Sequence, residues 1–216
     1  MSRAWFPRRF AAGFPACLAL AFVLCAPGAA AQDIGSDPRA VTLVGSSAHA
    51  RRCGSAAMAG DISDRTINYC TRALSYPRLS REGEIQLRVN LGVTRMRRHE
   101  NEAALAEFDA VVALNPSHAE AHLNRGAALV QLRQFGPAVA AITEALSLGV
   151  TEPHKAYFNR GAAREALRDN RGAYEDYSTA LAIQPDWGPA NAELARFARA
   201  RRAHLADVLG EPATAP

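Results

Sequence analysis

The first 31 residues contain no acidic side chain, although the whole chain of 216 residues has 21. They open with "MSRAWFPRRF", which carries three arginines, and continue with the apolar "AAGFPACLALAFVLCAPG". Small residues, "AAA", precede Gln32. This order is typical of a secretory signal peptide. The apolar run is short for a membrane span and is interrupted by Pro15 and Pro27.

We therefore expect export to the periplasm or secretion, with cleavage after Ala31 and no stable membrane span afterwards. Two other export signals fit less well. Lipid attachment at Cys25 is disfavoured by Leu24, which stands where lipoprotein signals have a small residue. The residues around the pair Arg8-Arg9 match the twin-arginine pattern poorly.

Lysine is almost absent, since it occurs once, at Lys155, against 24 arginines. Loss of residues 1–31 leaves 22 basic and 21 acidic residues, so the remaining chain is nearly neutral. A neutral chain does not favour nucleic-acid binding. Cysteine is also scarce. Only Cys53 and Cys70 remain after cleavage, and in an exported protein they favour one disulfide over two free thiols.

Recognisable catalytic motifs are missing as well. The chain has no glycine-rich phosphate loop, nucleophile elbow or paired-cysteine metal motif. Among six scattered histidines, only His118 and His122 in "HAEAH" have a spacing that suits two metal ligands on one helix. This pair lacks the glutamate of a metalloprotease helix and a third ligand. We predict no metal site, no cofactor and no enzymatic activity.

What the sequence does contain is a repeat. The pentapeptide Asn-Arg-Gly-Ala-Ala occurs twice, with glycines at Gly126 and Gly161, and "NLG" begins at Asn90, 34 residues before the first copy. Each glycine is followed after twelve residues by a small residue and after sixteen by a bulky one. These are Ala104, Ala138 and Ala173, and Phe108, Ile142 and Tyr177. A period near 34 predicts a solenoid of helix pairs.

Each unit makes physical sense as two antiparallel helices. The glycine and the alanine let the backbones approach where the helices cross, and the bulky residue fills the space between units. Pro116 and Pro185 end the second helix of their units. We therefore predict an all-α fold, an α-solenoid of antiparallel helix pairs.

This pattern resembles the tetratricopeptide repeat family over units 85–118, 119–153 and 154–187. Some positions depart from the family pattern. Its tryptophan is replaced by Arg88, His122 and Tyr157, its aromatic at the eleventh place by Arg95, Leu129 and Arg164, and the closing proline of the second unit by Val150.

The resemblance also organises the two ends. It implies a degenerate leading half-unit and linker over residues 46–84, in which Cys53 and Cys70 face each other as a disulfide. The helicity of residues 46–58 is uncertain because that stretch is rich in glycine and serine. Residues 188–208 read as a capping helix, whereas 32–45 and 209–216 are expected to be disordered.

As for function, the resemblance implies a concave groove that binds another protein. Asn90, Asn124 and Asn159 share one place on the first helix of each unit, where the asparagine either bonds the backbone of a bound peptide or packs neighbouring units. Lys155 matches one lysine of the family's carboxylate clamp, but most other clamp residues are missing, so capture of a free C-terminus is not expected.

The groove is predicted to be an apolar trough that suits an amphipathic helix or an extended segment. Its expected lining is Val89, Val93, Met96, Leu123, Ala127, Val130, Phe158 and Ala162, with Glu120, Lys155 and Glu165 at the rim. Arg160 and Asp176 are expected to pair across one unit. The sequence thus predicts an adaptor or assembly factor, and a less selective holdase or structural subunit for envelope proteins is the alternative.

Overall fold

The computed structural model describes residues 47–209, and this range contains helices joined by turns, with no strand. The expected signal peptide (1–31), the segment 32–45 and the tail from residue 210 lie outside the described residues. The helices are α1 (Ala48–Met58), α2 (Asp64–Leu74), α3 (Arg81–Arg97), α4 (Asn101–Leu114), α5 (Ala119–Gln131), α6 (Phe135–Leu148), α7 (Pro153–Ala166), α8 (Asn170–Ile183) and α9 (Gly188–Leu209). Within the described range, no helix is long and apolar enough to cross a bilayer.

The helices form a stack of antiparallel hairpins, which confirms the predicted all-α solenoid. We call α1, α3, α5 and α7 the A helices and α2, α4, α6 and α8 the B helices. Each A helix packs on the B helix of its own hairpin, and α3, α5 and α7 also pack on that of the preceding one. Successive A helices also touch each other, whereas the B helices contact mainly A helices. The A helices therefore line the inner side of the stack, and α9 packs on α8 at its end.

Side-chain caps set the beginning of several helices. The hydroxyl oxygens of Ser47 and Ser80 accept hydrogen bonds from the N–H groups of Ala50 and Gly83, both at 3.1 Å. Because Ser80 provides this cap, α3 begins at Arg81, inside the stretch expected to be a linker. At α5 the cap is His118, whose Nδ1 accepts from the N–H of Ala121 at 3.2 Å. His118 therefore has a structural role at a helix start.

The turn between the A and B helices is the same in the three predicted units. His99, Arg133 and Arg168 occupy one place in the repeat and have φ angles of 62°, 59° and 66°. This left-handed conformation is uncommon for residues other than glycine. The residue after each turn closes the helix end, as when the N–H of Gln134 donates to the carbonyl of Leu129 at 2.8 Å.

In the three predicted units, the two helices cross at a glycine that faces a buried side chain. A Cβ atom at Gly92 would lie 2.6 Å from the Phe108 ring, and one at Gly161 would lie 2.8 Å from the Tyr177 ring. At Gly126 the added atom would overlap Cγ1 of the fully buried Ile142. The recurring glycines therefore mark direct contact between a backbone and a side chain.

We expect Gly126→Ala to lower the free energy of unfolding by about 1–3 kcal/mol, because Ile142 has no space into which to move. Gly136→Ala is the matched control, since an added Cβ there has no atom within 4 Å beyond its neighbours in the chain. That change should alter the free energy of unfolding by less than about 1 kcal/mol, because the helical preference of alanine is opposed by its contact with the ring of Pro137. Urea denaturation followed by circular dichroism measures both values. Equal effects of the two substitutions would contradict the crossing contact.

The leading segment is a complete hairpin, and residues 48–58, whose helicity the sequence left open, form its first helix. Two helices of 11 residues each, α1 and α2, are joined by a disulfide between Cys53 and Cys70, with their Cα atoms 4.9 Å apart. Both cysteines are fully buried in a cluster with Leu87 and Leu91 of α3. The glycine- and serine-rich sequence of α1 is helical because the cap, the disulfide and the contact with α3 hold it.

Candidate functional site

The A helices form the inner side of the stack, where every residue of α5 and α7 is buried or half-buried. Neighbouring A helices meet along seams, and Asn90 lies at the first of them. A Cβ atom at Gly54 of α1 would be 3.9 Å from Nδ2 of Asn90. Asn124 and Asn159 hold the same place on α5 and α7, so the three amides form a row along the inner side.

These amides have no hydrogen-bond partner among residues 47–209. Asn124 is the most enclosed, with 7% of its surface exposed, yet its side chain makes no hydrogen bond within the described chain. Asn90 and Asn159 are half-buried and equally without a side-chain hydrogen bond there. Since an amide can donate two hydrogen bonds and accept two, these three side chains can form hydrogen bonds with a bound ligand.

The apolar residues expected to line the groove contribute less surface than predicted. Val93 and Ala127 have 5% and 4% of their surface exposed, because Val93 packs against Phe108 and Ala128. Val130 and Ala162 are also buried, whereas Val89, Met96 and Leu123 are half-buried. The inner side is therefore a polar row over a closed apolar layer, and not an open apolar trough.

Phe158 does not lie on the groove surface. Its ring is 2% exposed and packs between the rings of Tyr177 and Trp187, with centroid distances of 5.2 and 5.0 Å. Trp187 belongs to the turn before α9, and its ring also contacts that of His154 edge-on. Burial here lowers the pKa of His154. The capping region thus covers the position that the sequence indicated for partner contact.

The side chains predicted to form the polar rim are bonded to other residues of the chain. Lys155 Nζ bonds Glu152 at 2.8 Å, and the carboxylate of Glu120 accepts hydrogen bonds from the hydroxyl and the N–H of Thr151. Burial by itself would raise the pKa of Glu120, but the hydrogen bonds from Thr151 hold it below its ordinary value.

Glu165 connects the last hairpin to α9. Its carboxylate accepts a hydrogen bond from the Tyr177 hydroxyl at 3.1 Å and is paired with the Arg196 guanidinium. Burial and the adjacent Glu165 raise the pKa of the Tyr177 phenol well above its usual range, so the hydroxyl stays protonated and donates. This carboxylate holds the cap in place.

An ion pair between Arg160 and Asp176 is present, as the sequence predicted. Nη2 of Arg160 lies 2.7 Å from Oδ1 of Asp176, and Nε lies 3.0 Å from Oδ2. The hydrogen bonds to Asp176 raise the pKa of Arg160. Arg164 adds a third contact at 3.0 Å. In the first predicted unit, the Glu107 carboxylate is paired with two arginines in the same way. Its oxygens lie 2.9 Å from Nη1 of Arg88 and 3.2 Å from Nη1 of Arg95.

No metal-binding cluster is present in the described range, where no three His, Cys, Asp or Glu side chains are grouped to hold an ion. A shallow depression of about 390 Å³ is lined by Arg81, Glu82, Ile85 and Asn115. These residues lie at the start of α3 and the end of α4. The row of asparagines is therefore the candidate binding site.

Comparison with solved structures identifies the fold. The chain is similar to the TPR domain of Arabidopsis OM64, with 25% identity and a TM-score of 0.53 over 56% of this chain and 98% of that one. The first TPR domain of Spaghetti (RPAP3), solved bound to the HSP90 peptide SRMEEVD, shows 25% identity and a TM-score of 0.52 over 55% and 94%. MamA from Desulfovibrio magneticus RS-1 gives 18% identity and a TM-score of 0.60 over 73% and 87%.

The sequence itself matches no described protein family and no curated protein. The structural likeness nevertheless extends over 55% to 73% of this chain in the three comparisons. The fold is the tetratricopeptide-repeat solenoid, as the repeat pattern predicted.

Proposed function

We propose that this tetratricopeptide-repeat solenoid binds an extended segment of another protein along its A helices, through the amides of Asn90, Asn124 and Asn159. The observation that carries the proposal is the enclosed side chain of Asn124, which has no hydrogen-bond partner within residues 47–209. The Asn124 amide atoms are not sealed from solvent, so a bound backbone can replace solvent as their hydrogen-bond partner.

The surface favours an extended segment over an amphipathic helix. An extended backbone presents free N–H and C=O groups. The amide oxygen of an asparagine can accept from the N–H, and its NH₂ group can donate to the C=O. A helix uses these groups internally and needs apolar area instead. That area is small here, because Val93, Ala127 and Phe158 are buried.

The peptide carried by the first TPR domain of Spaghetti supports this class of ligand. The free C-terminal carboxylate is not proposed as the feature recognised. Lys155, the cation that matches the family's clamp, is already bonded to Glu152.

An adaptor or assembly factor outside the cytoplasm is the role that best fits these features. The signal-like first 31 residues motivate this location. The buried disulfide is consistent with it, because disulfides persist in oxidising compartments. Attachment of an epitope tag followed by cell fractionation tests the location, and recovery from the cytoplasm would count against it.

The binding proposal is tested with a peptide selected from a displayed library on the purified full chain. Asn124→Ala should weaken binding of that peptide roughly tenfold, the effect of losing hydrogen bonds worth about 1.4 kcal/mol. The melting temperature should stay nearly constant, because Asn124 has no bond to lose within the described chain. Fluorescence anisotropy gives the affinity and circular dichroism the melting temperature.

Asn68→Ala is the matched control, since Asn68 is exposed on α2, a B helix. It should leave the affinity unchanged. Phe158→Ala is unsuitable as a binding test, because its buried ring supports the fold. If Asn124→Ala lowers the melting temperature but leaves the affinity intact, the asparagine packs the units and the proposal is wrong.

A further inference from the structure

The register of the repeat identifies an unpartnered helix face at the beginning of the stack. The third residue of units one, two and three is Leu87, Ala121 and Ala156, and all three are fully buried. Each packs against the B helix of the preceding hairpin, as Leu87 does against Cys70 and Ala73. This face of an A helix therefore receives a helix throughout the array.

On α1 the corresponding residue is His49, and no described helix precedes it. Its ring lies 6.2 Å from that of Tyr69 and 6.3 Å from that of Tyr76. The guanidinium of Arg52 lies over the Tyr69 ring at 5.5 Å, and Arg72 is one helical turn from Tyr69. We call these five residues the outer-end patch.

The outer-end patch has the composition of a binding surface. Tyrosine and arginine are enriched among the residues that dominate interfaces. Tyr76 is 46% exposed, and both arginines are exposed without an ion pair to any carboxylate in residues 47–209. In the three units, by contrast, most arginines are bound to acids, such as Arg88, Arg125 and Arg160.

The charge around the patch is positive. Residues 47–81 contain six arginines and only two acids, whereas residues 82–187 contain 11 basic and 14 acidic residues. Neither acid of the leading hairpin neutralises the patch. Asp61 caps the turn through Ser63 and Thr66, and Asp64 is bonded to Arg98 of α3 at 2.7 Å.

We propose that the outer-end patch docks an acidic amphipathic helix of another protein, which continues the stack at the place of a preceding B helix. A helix fits because the same face of α3, α5 and α7 receives one. Acidic side chains fit because Arg52 and Arg72 have no carboxylate partner. The far end of a second copy does not fit, since α9 ends with the exposed Arg199, Arg201 and Arg202, and like charges repel.

The probe is a fluorescein-labelled synthetic amphipathic helix whose polar face carries only glutamate, titrated against the purified full chain. Arg52→Glu with Arg72→Glu should weaken binding roughly tenfold or more, and Tyr76→Ala should weaken it further. Arg199→Glu with Arg201→Glu is the matched control. It changes the net charge equally at the opposite end and should leave the affinity within about twofold.

Several results would overturn the proposal. One is an equal loss of affinity in the control variant. Another is a helix with lysine on its polar face that binds as tightly as the glutamate-faced helix. The third is that the wild-type protein does not bind the glutamate-faced helix. Patch-dependent binding to vesicles of phosphatidylglycerol, with none to the acidic helix, would assign the surface to lipid. Binding that appears only after deletion of residues 32–45 would assign it to the protein's own segment. Asn124→Ala should not affect this binding, so the patch and the asparagine row are tested independently.

Discussion

Replacement of Asp176 by alanine should lower the free energy of unfolding by about 3–5 kcal/mol, among the largest losses expected for a single substitution here. The carboxylate is 3% exposed and receives both Arg160 and Arg164. Its removal leaves the partly buried Arg160 without a carboxylate and leaves Arg164 with only the longer contact to Asp169 at 3.9 Å. Urea denaturation monitored by circular dichroism measures the loss.

Asp109→Ala is the matched control, because Asp109 pairs with Arg125 at 2.6 Å but has 49% of its side chain exposed. That substitution should cost under about 1 kcal/mol, since solvent screens an exposed pair. A second variant adds Arg164→Leu to Asp176→Ala, which copies Leu129 of the middle unit. It should be more stable than Asp176→Ala alone. Equal costs at Asp176 and Asp109 would show that burial does not strengthen the inner pair.

Loss of the disulfide is the second large effect. Replacement of both Cys53 and Cys70 by alanine should lower the free energy of unfolding by about 3 kcal/mol, because the bond closes a loop of 17 residues in the unfolded chain. The loss should be concentrated in the leading hairpin. Hydrogen exchange should therefore show α1 and α2 opening first, with α5 to α8 still protected.

The wild-type protein provides the control for this experiment. Denatured without reductant, it should contain no reactive thiol among the two described cysteines, and a strong reductant should bring its stability to that of the double variant. Uniform loss of protection across all hairpins would show that the disulfide acts on the whole solenoid. A variant as stable as the oxidised protein would show that the hairpin core suffices.

Much of the fold could be predicted because the close contacts recur at fixed spacing. Gly126 and Ile142 are sixteen residues apart, and the same interval joins Gly161 to Tyr177. Contacts inside one hairpin follow from such intervals. The disulfide and the pair Arg160–Asp176 are of this kind, and both are present.

The contribution of Arg164 and Arg95 was not predicted, although the sequence carries a signal for it. Both replace an aromatic residue of the family pattern, and both bond an acid on the B helix, Asp176 and Glu107. The middle unit has Leu129 in place of the arginine and Ala141 in place of the acid. Arginine and acid therefore occur together or not at all. Comparison of the units at these two places could have revealed the pairs.

Burial of Phe158 and engagement of Glu165 could not be read from the repeat. Both depend on Trp187 and Arg196, which follow the last unit and have no counterpart at equal spacing. Likewise, composition alone suggested little structure for α1. Its helix depends on Leu87 and Leu91 of another hairpin, a contact that local propensity does not contain.

The seams between A helices have a consequence for a bound segment. Fewer residues touch between successive A helices than between the two helices of one hairpin. Successive hairpins are therefore joined mainly where each A helix packs on the preceding B helix, and the seam adds a smaller contact on the inner side. A segment that contacts Asn90, Asn124 and Asn159 would cross two seams, so it must be long enough to reach over three successive hairpins.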